Sequence, residues 1–170
     1  MKTNIPTIRS FAYKYGAIYG GITIAFSLML HIMELTYSGS KIPEFINYAI
    51  LFATIVFAIY SFRSANGRLL SVGQAVKLGT GTALIAGVFT VLYLLLFSNV
   101  IEPDFVERLG KEVTAKQLIE KMPNLTQDQI QQQIDLQTKF FWVSYPFILI
   151  VFIIFGLVIS WITGLIARRQ

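Results

Sequence analysis

Three groups of residues in this chain have types and spacings that could do chemistry. His31, the one histidine, stands three positions before Glu34. At that spacing an imidazole and a carboxylate share one helix face and come within hydrogen-bonding reach. The pair reads first as an interfacial contact at a helix end, and second as a proton- or cation-responsive site facing a bundle. Two ligands make a poor metal site without further ones, so no metal is expected. The carboxylates Glu102, Asp104 and Glu107 crowd into six residues and could gather a cation. Acids at a helix start are also what the helix dipole favours, and that explanation is preferred.

The third group is Gly79-Thr80-Gly81, inside the stretch GRLLSVGQAVKLGTGTALIAGVF. A dinucleotide fingerprint needs a third Gly or Ala at the position of Leu84, and a strand before it. A phosphate loop needs Gly-Lys-Ser/Thr after its glycine, and none follows. Nothing else offers a catalytic arrangement. One histidine near a helix end supports no triad, and neither a nucleophile elbow nor a zinc-protease pair is written in the chain. The expectation is a protein that is not an enzyme and holds no cofactor.

The elements that must position these residues are apolar. Of 170 residues, 55% are hydrophobic and 14% charged, and the mean hydropathy is +0.63. A soluble domain carries about 25% charged residues, so lipid is the expected solvent. Four runs, residues 12–33, 45–62, 75–97 and 140–167, each suffice to cross a hydrocarbon core as a helix. The first has a basic start, but its length and the lack of a small-x-small cleavage site mark it as a retained span. The expected fold is an all-α integral membrane protein: a single domain of four transmembrane helices, with a helical extracytoplasmic loop over 98–139.

Charge sets the orientation. Lys2, Arg9, Lys14, Arg63, Arg68, Lys77, Arg168 and Arg169 share one side with no acid, while all nine acidic residues fall on the other. The positive-inside rule places both termini and the 63–77 loop in the cytoplasm. Arg63, Arg68, Lys77, Arg168 and Arg169 are then expected contacts for anionic headgroups. The basic surplus is a topology signal, and no nucleic-acid partner is expected.

Small residues recur every four positions in three spans: Ala12, Gly16 and Gly20; Ala75, Gly79, Ala83 and Gly87; Gly156, Ser160 and Gly164. Without Cβ bulk another helix approaches closely. The stripes predict packing within the bundle, or against a second copy or another membrane protein. Leu69, Val72 and Val76 predict a short amphipathic segment at the cytoplasmic interface. Thr23, Ser27, Thr54, Thr80, Thr82 and Thr90 are available as hydrogen-bonding groups between helices. Pro146 has the potential to kink the fourth span. In the loop, Thr126 and Gln129 have capping-box form, and QDQIQQQIDLQTKFF predicts a helix continuing into that span.

Gly67 to Gly79, the Ile101-Glu-Pro-Asp-Phe105 piece, and Gly156-Leu-Val-Ile-Ser160 to Arg168-Arg169 resemble the bacterial membrane family called domain of unknown function 4199. The order and spacing of the spans are similar as well. The resemblance implies a small bacterial inner-membrane protein and implies no activity. The leading functional expectation is contact with lipid, itself or another membrane protein. The alternative is a small-solute or ion permease, as a single copy or an oligomer, with His31 and Glu34 near its outer mouth.

Overall fold

A computed structural model describes residues 7–168; Lys2 and Arg169 of the basic set lie outside the described residues. The described chain is helical, and four of its helices are long and apolar enough to cross a membrane. They are α1 (Ile8–Ile32), α2 (Ile42–Ala65), α3 (Val72–Leu96) and α7 (Ser144–Ala167). The chain is a multi-pass membrane protein.

Local chemistry sets the helix ends. Thr7 caps α1, accepting from the Ser10 amide at 3.2 Å. After α2, Gly67 and Arg68 both take positive φ, 65° and 67°, and turn the chain. Ser71 and Gln74 then open α3 with a reciprocal capping box, which satisfies two amides that have no helical partner. The predicted interfacial segment is therefore the turn and first windings of α3. Leu70, only 1% exposed, anchors it in the core, while Leu69 stays exposed.

The small-residue positions of α3 and α7 face each other in antiparallel order. A Cβ on Gly79 would meet Ser160, one on Gly156 would meet Ala83, and one on Gly164 would meet Ala75. Gly87 continues the seam against Phe152. On the other side of α3 the order is parallel: Gly81 opposes Ala12, Gly16 opposes Ile85, and Gly20 opposes Phe89. Close backbone approach brings many van der Waals contacts, which drive helix association where lipid is as apolar as leucine. The helix α2 runs antiparallel to α1, with Phe62 edge-on to Phe11 and the Tyr15 hydroxyl donating to Ser61 at 2.7 Å.

Burial is uneven along the spans. The buried residues of α1 and α3 are weighted toward their N-terminal halves, and those of α2 and α7 toward their C-termini. That is one end of the bundle, the end where α1 begins and α7 finishes. At the other end, called here the loop end, the helices diverge.

The connection from α3 to α7 forms a helical cap. A π-helical turn (Phe97–Ile101) extends α3. A continuous helical run follows, built from α4 (Phe105–Arg108), a second π-helical turn (Leu109–Thr114) and α5 (Ala115–Lys121). Next comes α6 (Gln127–Lys139), opened by the Thr126–Gln129 capping box. The sequence predicts α6 to continue into the fourth span, and the structure differs. The helix stops at Phe140, a short 3-10 turn (Phe141–Val143) intervenes, and α6 folds back so that Ile134 covers Gly110. The burial of Ile134, at 5% exposure, outweighs helix continuity. Pro146 falls in the first turn of α7, where its missing amide hydrogen removes no hydrogen bond within that helix.

Candidate functional site

At the loop end, His31 and Glu34 do not pair. The helix α1 ends at Ile32, and Glu34 enters positive φ (59°), leaving the shared face and standing exposed. His31 turns instead to Glu102, with Nδ1 at 3.4 Å from Oε2. Glu102 is 12% exposed, and its other oxygen accepts from Arg108 Nη1. Arg108 also donates through Nε to Glu112 at 3.0 Å, and its guanidinium lies 4.3 Å from the centre of the Tyr37 ring. The five side chains join α1, the α1–α2 connection and the cap. A cleft of about 630 Å³ beside them also touches Glu34, Thr36 and Ser38.

The electrostatics are those of a latch. Glu112 foremost, with Glu102, holds the Arg108 guanidinium above its ordinary value. Burial, reinforced by the Glu102 carboxylate, pushes the Tyr37 phenol up. An aromatic chain backs the cluster: Phe97 packs edge-on to His31 at 5.0 Å and to Phe105 at 5.2 Å, and Phe105 approaches Phe141 at 6.2 Å. Of the crowded acids, Glu102 is taken by this cluster and Glu107 pairs with Lys111. Among the described residues no group of histidines and acids stands in a metal-holding arrangement.

A second feature lies between the spans. Where the helices diverge, a chamber of about 170 Å³ opens among Tyr19, Thr23, Asn47, Tyr48 and Phe152. A second chamber of about 290 Å³ adjoins it toward the loop end and shares Ser27, Glu44, Thr90 and Tyr93 with it. Toward the other end the space closes on Gly20–Phe89 and Gly16–Ile85 contacts and on buried Leu51 and Ile55. Thr23 and Thr90, expected between helices, donate within their own helices, to Tyr19 O and Ala86 O at 3.0 Å. Thr54 and Thr82 do the same toward Ile50 and Leu78. A hydroxyl one turn from its own carbonyl finds that acceptor before any other helix can supply one.

The third feature is at the opposite end. Arg63 and Arg68 line one cleft of about 320 Å³ with Tyr60 and Ser64, and Arg63 Nε is buried without a partner among the described residues. Lys77 stands exposed on α3, and Arg168 ends α7. The packing positions Gly16, Gly20, Gly79, Ala83, Gly87, Gly156, Ser160 and Gly164 all meet other helices of this chain.

The sequence did not point to Tyr37, Arg108 or Glu112, or to the polar chamber. A signal existed for the chamber: Tyr19, Thr23 and Ser27 repeat at helical spacing along an otherwise apolar span.

The family described as Protein of unknown function (DUF4199) matches residues 14–169, nearly the whole chain, and the protein belongs to that family. No curated protein and no solved structure matches it.

Proposed function

We propose that this member of the DUF4199 family is a non-enzymatic protein of the bacterial inner membrane, with both termini cytoplasmic, acting through contacts with lipid and a protein partner. The observation that carries the reading is where the small residues go. All three stripes meet helices of the same chain, which leaves the cap and the basic rim as the contact surfaces. Latched to α1 by Glu102, the cap presents a fixed outer surface. Arg63 and Arg68, in one cleft, suit the phosphate of an anionic headgroup on the cytoplasmic side. The charge partition supports that orientation.

The chain lacks cysteine, so a single Lys116→Cys thiol on the cap tests the topology. A membrane-impermeant maleimide should label it in intact cells, and protection of that thiol would reverse the orientation. A defined complex should co-purify with the full chain in mild detergent, and exchanging residues 103–139 for a flexible linker should abolish it. A complex that survives the exchange would remove the cap from the reading.

A small-solute permease is the second reading, and the polar chamber between the spans favours it. Flux into liposomes that depends on Tyr93 or Glu44 would support it over the contact role.

A further inference from the structure

We infer that the chamber between the spans is a binding site for a primary ammonium group, carried by a small amine or by a lipid headgroup. This goes beyond the contact role and does not depend on it. The chamber is rich in acceptors. Thr23 and Thr90 donate their hydroxyl protons to backbone carbonyls and so keep only lone pairs to offer. Asn47 Oδ1 and the Tyr93 hydroxyl, which faces Ser27 and can accept as well as donate, are buried with no hydrogen-bond partner among the described residues. Among the described residues Glu44 is the only charged side chain lining either chamber; it is exposed, in the first turn of α2, where the two meet.

Buried polar atoms are normally hydrogen-bonded, and leaving them unpaired is costly in a low-dielectric interior. An ammonium group has three donors and no acceptor, which suits the Glu44 carboxylate and the free lone pairs of Thr23, Thr90 and Asn47. Tyrosine side chains in the same wall suit a cation further. A neutral alcohol offers one donor and no charge for Glu44, and an anion would face that carboxylate. The space opens at the loop end and closes at the Gly20–Phe89 contact.

The test uses the purified full chain in phosphatidylcholine nanodiscs, with propylammonium titrated calorimetrically and empty discs as the blank. Propylammonium should bind, while propanol, propionate and tetramethylammonium at equal concentration should bind at least several-fold more weakly. Glu44→Gln should weaken propylammonium about tenfold, as expected for a lost hydrogen bond to a charged group. Thr90→Val, which keeps the volume, should weaken it by a smaller factor. Both variants should keep the wild-type melting temperature. Adding phosphatidylethanolamine to the discs distinguishes the sources: competition assigns the site to the headgroup, and its absence assigns it to a free amine. Either result supports an ammonium site. Propanol binding as tightly as propylammonium, absence of propylammonium binding, or an unaltered affinity in a folded Glu44→Gln variant would overturn it.

Discussion

Gly79 of α3 lies so close to Ser160 of α7 that a methyl group on the glycine would occupy the place of the serine side chain. The Ile55 side chain closes the same position at 3.0 Å, so neither neighbour has room to yield. Gly79→Val should destabilise the bundle by about 3 kcal/mol or more, the upper range for overpacking. Gly21 has open space around it, and Gly21→Ala should be neutral within about 1 kcal/mol. Thermal melting of the two variants in detergent checks this contrast, and equal melting temperatures would contradict it.

Removing the shared carboxylate should loosen the cap alone. Glu102→Gln takes the anion from both His31 and Arg108, so the link between α1 and the cap weakens locally. Amide exchange over residues 105–121 should rise several-fold, while α1 and α3 below the cluster keep their protection. Unchanged exchange in the cap would show that the aromatic contacts suffice to hold it.

Stability should also fall on the alkaline side. The Tyr37 phenol is raised in the folded state, first by burial and then by Glu102. Between the ordinary tyrosine value of about 10 and the folded value, the unfolded chain binds fewer protons, so stability declines as pH rises. The contribution is intact below about pH 10. Melting temperatures of the wild type measured from neutral pH upward should show this decline, and Tyr37→Phe should make it shallower. A decline of equal slope in that variant would assign the effect elsewhere.

Ile134 should decide whether α6 stays folded back. It is buried against Gly110, where even a Cβ would meet it at 2.6 Å. Ile134→Ala should expose the 122–126 connection, with faster proteolytic cleavage after Lys121 and no change in the melting of the spans. Cleavage at the wild-type rate would show α6 to be held by other contacts.

The spans were legible in the sequence because each is a continuous apolar run, and membrane helices carry that signal along their whole length. The stripes were legible in their positions, since four-residue spacing fixes a helix face, but their partners were not. Nothing local to Gly79 says that it meets Ser160 and not a second copy. His31 shows the limit most plainly. Helical phase points it at Glu34, yet α1 stops at Ile32 and the actual partner, Glu102, lies 71 positions away. The break at Phe140 was equally hidden, because the reason for it, Ile134 over Gly110, is a contact between segments that share no periodicity.

The glycine seam and the diverging ends together give the bundle a stiff root and a compliant crown. Lateral pressure from the leaflet around the root meets backbones already in contact. The same pressure around the crown meets helices with space between them, and the width of that space is set by a handful of side chains at the rim. A thicker or more crowded leaflet on that side would press on that space before it reached the seam.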